Sequence, residues 1–218
     1  MDDPQLREEI CRVGASLYAR GYVHASAGNI SVRLPDDAGY LITPTDACLG
    51  NLDPATLAKV DPDGVQRSGA RASKTLVLHR AIYGAEPQAR CVIHTHSTHL
   101  VALTLTGVWQ PDDILPPITP YYVMKVGHVP LIPYHRPGDP AVGALVAQRI
   151  AAMQQRGTPL RAVMLDRLGP NVWHSSPAEA SAVLEELEET ARLWHMSRAR
   201  PLDEDQIQAL REQFGAAW

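Results

Sequence analysis

The sequence predicts one layered α/β domain that spans residues 1–218. At 218 residues the chain is long enough for one sizeable core, and no Gly/Ser-rich or low-complexity break divides it. Apolar stripes at helical spacing alternate with short β-rich runs along the chain. Because such helices and strands bury their apolar sides against each other, we expect helices packed on a sheet.

Four helices are predicted, each from a capping residue followed by apolar residues at helical spacing. A glycine stops each of the first three, and the fourth begins with the capping signature SSPAE. The acidic run EELEE in the fourth helix is predicted to be its solvated face. The predicted caps are Asp3, Ser73, Asp139 and Ser176, and the predicted stops are Gly21, Gly84 and Gly157.

Strands are predicted where β-branched and apolar residues lie between turn signals. Residues 24–34, HASAGNISVRL, form a Gly-Asn turn followed by a strand, and residues 40–50 form a short strand that ends in a turn. Residues 89–96, ARCVIHTH, and residues 161–165 are further strands. Residues 128–140 are predicted to be extended, because their prolines cannot occupy a helix interior.

Composition and charge argue against several classes of partner. The net charge of -4 supplies no basic surface for nucleic acid, and no apolar run approaches membrane-spanning length. Cys11, Cys48 and Cys91 form no CxxC pair and leave an odd count, which favours a reducing compartment. Since its N-terminus has no basic start followed by an apolar core, the chain is predicted to be cytoplasmic, without nucleic acid or membrane as a partner.

Three imidazoles lie within six positions at the end of an apolar run. Alternate side chains of a strand share a face, so His94 and His96 are expected to point the same way. Two neutral imidazole nitrogens suit two corners of a zinc or iron site, and His99 is a candidate to support them. The alternative is that all three are ordinary hydrogen-bonded histidines.

The motifs SAGNISVR, LITPT, LHRAIY and VIHTHSTH follow one another in this order. On these motifs the chain resembles the class II aldolase/adducin family, to which fuculose-phosphate aldolase belongs. The stretches SKTLVLH and DILPPITPYYVMKVGHVPLIPYHRPGDP are most similar to the branch that decarboxylates phosphorylated four-carbon sugar acids. The resemblance implies a three-layer α/β/α sandwich around a mainly antiparallel central sheet, assembled as a homotetramer with active sites between subunits.

The family's functional residues match positions of this sequence one by one. Its His-x-His metal ligands match His94 and His96, and a catalytic tyrosine that reaches a neighbouring subunit's site matches Tyr121. The residues matching the family's phosphate site and its Thr-Pro-Thr segment are Ser26, Gly28, Asn29, Thr43, Pro44, Thr45, Ser73 and Lys74. A phosphate site is also favoured on physical grounds, because this set provides turn N–H groups, hydroxyls, a helix start and a lysine. The alternative is that the glycine and asparagine only form a tight turn and the serine only caps a helix.

Two positions depart from the family pattern. Leu168 stands where the family has its third histidine ligand, and Leu cannot bind a metal. Thr75, four residues before His79, stands where aldolases of the family have their acid/base carboxylate. A threonine has no useful pKa for proton abstraction near neutral pH, which disfavours retro-aldol cleavage. By composition, His128, His135 and His174 are candidates for the missing ligand.

The leading hypothesis is a decarboxylase dependent on zinc, or on manganese or cobalt, whose substrate is a small phosphorylated sugar acid. Decarboxylation needs no base, because CO2 leaves from an ionised carboxylate and the catalyst mainly stabilises the resulting enolate. Thr75 is therefore compatible with it, and Tyr121 or a water could return the proton. Two alternatives stay open: a class II aldolase or dehydratase acting on another phosphosugar, and a non-catalytic adducin-like assembly module.

Overall fold

The computed structural model describes residues 2–218 and contains one eight-stranded sheet with helices on both faces. The helices are α1 (Asp3–Ala19), α2 (Leu76–Ala85), α3 (Thr98–Thr106), α4 (Ala141–Gln155), α5 (Pro177–Ser197) and α6 (Glu204–Phe214). The strands are β1 (Asn29–Arg33), β2 (Tyr40–Ile42), β3 (Ala58–Val60), β4 (Gln66–Ser68), β5 (Cys91–His94), β6 (Leu131–Ile132), β7 (Ala162–Leu165) and β8 (Gly169–His174). None of these helices is both long enough and apolar enough to cross a membrane.

The sheet is antiparallel except at one edge. Its strand order is β4-β3-β2-β1-β5-β8-β7-β6, and β6 pairs with β7 as the one parallel pair. The remaining pairs are antiparallel. The central strand β5 lies between β1 and β8, so the histidines at its end belong to the middle of the sheet.

The two faces of the sheet are covered by different helices. On one face α1, α3 and α5 pack against a large apolar cluster that includes Cys91 and Ile93 of β5. On the other face α2 and α4 pack against Val92 and Trp173. Because side chains alternate along a strand, this division follows from the sequence of β5 itself. The predicted three-layer α/β/α sandwich around a mainly antiparallel sheet is thereby confirmed.

Three predicted helix caps are wrong by one or more positions; one of them is Asp139, since the N-cap of α4 is Pro140. Asp2, not Asp3, caps α1, because its side chain accepts the N–H of Gln5 while the Gln5 side chain accepts the N–H of Asp2. Ser73 lies in the turn before α2, which begins only at Leu76. The predicted stop at Gly84 is also early, since α2 continues to residue 85.

The prediction of a solvated acidic run is wrong for Glu188, whose residue surface is only 3% exposed. Its carboxylate accepts the backbone N–H groups of His99 and Leu100 at the start of α3. The first N–H groups of a helix have no partner within the helix. A buried carboxylate at this position is therefore stabilised by the hydrogen bonds that it accepts from them. Helices α3 and α6 and strands β3, β4 and β8 were not predicted.

Candidate active site

A cavity of about 510 Å³ opens where β5 ends, between the sheet and the segment before α4. It gathers residues that are far apart in the chain, from the turn before β1 to strand β8. Tyr121, the predicted catalytic tyrosine, does not line it; that residue is 61% exposed on the surface. The predicted residues that line the cavity are Ser26, Gly28, Asn29, Thr45, Ser73, Lys74, Thr75, His94 and His96.

The wall nearest α2 is built by two paired segments. The N–H of Thr45 donates to the Arg71 carbonyl at 2.9 Å, and the N–H of Ser73 donates to the Thr43 carbonyl at 3.3 Å. These bonds hold the Thr45 and Ser73 segments side by side. Thr43 itself is buried, and its hydroxyl accepts the N–H of Ile30 at 3.2 Å, so it fixes the wall rather than facing the cavity.

The Gly-Asn turn is packed directly on the predicted metal ligands. Gly28 has φ +83°, and a Cβ there would lie 2.8 Å from the His94 carbonyl oxygen. Any other residue would both strain the backbone and push this turn away from β5. The next residue, Asn29, is the direct cross-strand neighbour of His94. The turn that carries two of the predicted phosphate residues therefore lies directly against the strand end that carries His94.

His94 and His96 do lie together, although not by strand alternation as predicted. Strand β5 ends at His94, and His96 belongs to the irregular segment before α3. Their ring centroids are 5.1 Å apart with planes inclined at 70°. Nδ1 of His94 donates to the Pro170 carbonyl at 2.9 Å, which leaves the lone pair of its Nε2 available.

Burial keeps the histidines of this region neutral. Burial first, and then the charge of His96, lower the pKa of His94 to about 4. Burial and then the charge of His24 lower the pKa of His96. Behind them, burial and then His94 lower the pKa of His79 to about 3; its Nδ1 bonds the Ser31 hydroxyl at 2.7 Å. Neutral imidazole is the form that binds metals.

These features fit a divalent metal with two protein ligands. Two imidazoles on one tetrahedral zinc have nitrogens roughly 3.4 Å apart and ring centroids about 5 Å apart. His94 and His96 match this spacing. Within residues 2–218, however, no three His, Cys, Asp or Glu side chains are close enough to hold a metal together. Leu168, in the predicted position of the third histidine, lines the cavity and packs on the apolar cluster beneath it.

Of the predicted replacements for that ligand, only His135 lines the cavity. Its Nδ1 bonds the carbonyl of its neighbour Pro133 at 2.7 Å. Nδ1 of His128 contacts the Asp113 carboxylate at 2.6 Å, outside the cavity. His174 likewise pairs with the Glu179 carboxylate at 3.0 Å on the surface.

His99 does not support the metal ligands, contrary to the prediction. It lies in the first turn of α3, where its Nδ1 contacts a Glu188 carboxylate oxygen at 2.8 Å. Its backbone carbonyl bonds Nε2 of His195 on α5 at 3.0 Å. His99 is not among the residues that line the cavity, so the helix that starts at Thr98 carries it away from His94 and His96.

Sequence reasoning missed two residues of this region. Asn171 of β8 is fully buried, lines the cavity and is the cross-strand neighbour of His94 on the side opposite Asn29. Neither amide atom of Asn171 has a hydrogen-bond partner among the described residues. The second residue is His24, whose ring centroid lies 6.3 Å from that of His96. No local sequence motif marks Asn171. His24 immediately precedes the ASAGN turn, and this position could have identified it as a residue of the site.

A sheet of this order with the His-x-His segment at the end of its central strand defines a known class of protein. Residues 8–195 match the Class II Aldolase and Adducin N-terminal domain. The chain belongs to this family, and the resemblance seen in its motifs is confirmed.

Individual proteins and solved structures that are similar to this chain point to one branch of the family. The chain is 61% identical to a 3-oxo-tetronate 4-phosphate decarboxylase of Cupriavidus necator, with 99% of both chains covered. The solved structure of YgbL from Klebsiella pneumoniae is 44% identical and covers 97% of this chain and 100% of its own, with a TM-score of 0.85. L-fuculose-1-phosphate aldolase of Thermus thermophilus is 26% identical, covers 91% and 98%, and has a TM-score of 0.74.

Proposed function

We propose that this chain is a carbon–carbon lyase: a metal-dependent decarboxylase that converts a 3-oxo-tetronate 4-phosphate into dihydroxyacetone phosphate and CO2. The observation that carries the proposal is the cavity itself, which brings the predicted phosphate residues and both predicted metal ligands to one site. The printed name of the Cupriavidus necator relative supports the same reaction.

His94 and His96 would hold the metal, and the Gly28, Ser73 and Lys74 region would bind the phosphate. When bound, the metal supplies Lewis-acid stabilisation of the negative charge that develops on the substrate oxygens. The turn N–H groups, the hydroxyls and the Lys74 ammonium are donors suited to a phosphate dianion. Holding the phosphate at this wall orients the sugar acid toward the two imidazoles.

The reaction breaks the bond between the carboxylate carbon and C2 of the substrate. The electron pair moves into the C3 carbonyl as an enolate, and a proton must then return to C2. No residue has to remove a proton first, so Thr75 at the cavity wall is no obstacle; its hydroxyl bonds that of Ser73 at 2.9 Å. Retro-aldol cleavage would require a base at this position, and Thr75 is not one.

Tyr121 is proposed as the proton donor for a neighbouring subunit's cavity. Its exposure on the surface, outside its own chain's cavity, is compatible with such a role. Homotetrameric assembly with sites between subunits, zinc as the metal rather than manganese or cobalt, and a cytoplasmic location are parts of the proposal that stay predictions.

The proposal is tested by incubating purified protein with 3-oxo-tetronate 4-phosphate and measuring CO2 together with dihydroxyacetone phosphate. We expect equal amounts of both products, loss of turnover after chelation, and recovery with zinc, manganese or cobalt. Release of an aldehyde without CO2 would identify an aldolase instead. No turnover with any of the three metals, combined with a metal-free protein on elemental analysis, would favour the assembly module.

A further inference from the structure

The strongest unassigned feature beside the cavity is a third imidazole next to the predicted metal ligands. We propose that His24 completes the metal site as its third protein ligand, in place of the histidine that Leu168 has replaced. The inference rests on the metal dependence in the proposed function. It concerns a residue of the segment before β1, which none of the family matches described above assigns to metal binding.

The His24 ring lies near one of the two predicted ligands. Its ring centroid lies 6.3 Å from that of His96, and the planes are inclined at 69°. Since two imidazoles on one tetrahedral zinc have ring centroids about 5 Å apart, the His24 ring has to move roughly 1 Å closer to that of His96, and toward His94 as well, to join the site. The His24 side chain is on an exposed residue, so a rotamer change can supply this movement without disturbing the core.

The backbone that follows His24 is fixed against the site. The His24 carbonyl accepts the N–H of Ala27 at 2.9 Å, and Ala25 between them has φ +47°. The turn then continues into Gly28, which packs on the His94 carbonyl. His24 is thus tethered to the strand end that carries the other two rings, although it is distant from them in sequence.

The remaining histidines are less suitable ligands. His99, His128 and His174 each contact a carboxylate outside the cavity. The His24 ring has no hydrogen-bond partner among residues 2–218. His135 is the remaining competitor because it lines the cavity, but no ring contact joins it to His94 or His96.

The test measures metal affinity rather than activity. Full-length protein is freed of metal with a chelator and titrated with zinc against a chromophoric competitor, and with cobalt(II) while its visible spectrum is recorded. The variants are His24→Ala, His135→Ala and, as a matched surface control, His174→Ala. We expect His24→Ala to weaken zinc binding at least about 10-fold and to change the cobalt spectrum, with the other two variants unchanged.

Unchanged zinc affinity in His24→Ala, or a loss confined to His135→Ala, would overturn the inference, as would wild-type protein that binds no zinc. Because His24 is exposed, an unfolding curve that matches wild type will show that the variant is folded. The two proposals fail separately. If wild-type protein binds zinc through His24 but releases no CO2, the proposed function fails and this inference stands; if CO2 is released and His24→Ala binds zinc normally, only this inference fails.

Discussion

The three histidines between positions 94 and 99 occupy two different environments. His94 and His96 lie at the cavity, and no carboxylate contacts either ring among the described residues. His99 lies in the first turn of α3 and contacts the buried carboxylate of Glu188. The change occurs over three residues, because α3 begins at Thr98 and redirects the backbone.

The difference teaches what separates a structural histidine from a ligand. Glu188 accepts both N–H groups of His99, from the backbone and from the ring, together with the N–H of Leu100, so the ring is part of a helix cap. His94 likewise donates its Nδ1–H, to the Pro170 carbonyl, and metal-binding histidines commonly have such an acceptor, so this bond does not separate the two rings. What separates them is position: His94 lines the cavity with the His96 ring centroid 5.1 Å from its own, whereas His99 does not line it.

The largest expected effect is on activity when a cavity histidine is removed. His94→Ala should lower the rate of CO2 release about 1,000-fold or more, equivalent to roughly 4 kcal/mol in the activation barrier, because it removes a metal ligand. The matched control is His99→Ala, from the same short stretch, which should keep its activity per folded molecule within a few-fold. Equal losses in both variants would erase the distinction between the two environments.

The next largest expected effect is on the free energy of unfolding, and it concerns the environment of His99. Glu188→Ala removes the acceptor of three N–H groups, two of them in the first turn of α3. We expect the free energy of unfolding to fall by about 2–3 kcal/mol, measured by denaturant titration, because buried donors lose a charged partner. Glu188→Gln should fall by less, since an amide oxygen still accepts hydrogen bonds. A variant as stable as wild type would mean that Glu188 does not cap α3.

Much of the fold was predictable from local signals. The start of α5 and the ends of α1 and α4 follow a cap and glycines that act within one turn, and Gly21 and Gly157 have the positive φ that such stops use. Strand β8 was not predicted because its sequence, GPNVWH, carries a proline and an asparagine and pairs only through β5 and β7. Its strand character is a tertiary effect.

The site was predictable where residues are neighbours in sequence or match a family motif, and not where the sheet assembles it. His94 and His96 are two positions apart, and the residues of the phosphate wall follow recognised motifs. Asn171 and His24 reach the same place only through the pairing of β8 with β5 and through the turn before β1. Glu188 contacts His99, which is 89 positions away in the chain. Because the sequence gives no sign of this contact, the acidic run was predicted to be a solvated face.

A third prediction concerns the phosphate end of the cavity. Lys74→Ala should raise KM about 10- to 30-fold with little change in kcat, since a contact far from the breaking bond stabilises the bound substrate and the transition state alike. Steady-state kinetics of CO2 release measure both constants. Arg80→Ala, in the second turn of α2 and outside the cavity lining, is the matched control. An unchanged KM in Lys74→Ala would remove the lysine from the phosphate site and leave the two histidine environments as they are.

The last prediction concerns the pH dependence of stability conferred by the buried histidine behind the cavity. The pKa of His79 is about 3 in the folded chain against 6.5 ordinarily, so between these values the unfolded state binds more protons and stability falls as pH decreases. One such group contributes a slope of at most about 1.4 kcal/mol per pH unit. His79→Gln keeps an amide able to bond the Ser31 hydroxyl but cannot take up the proton. Denaturant titrations from pH 7 to pH 4 should therefore give a shallower decline in this variant, and curves parallel to wild type would show that His79 is not held neutral by burial.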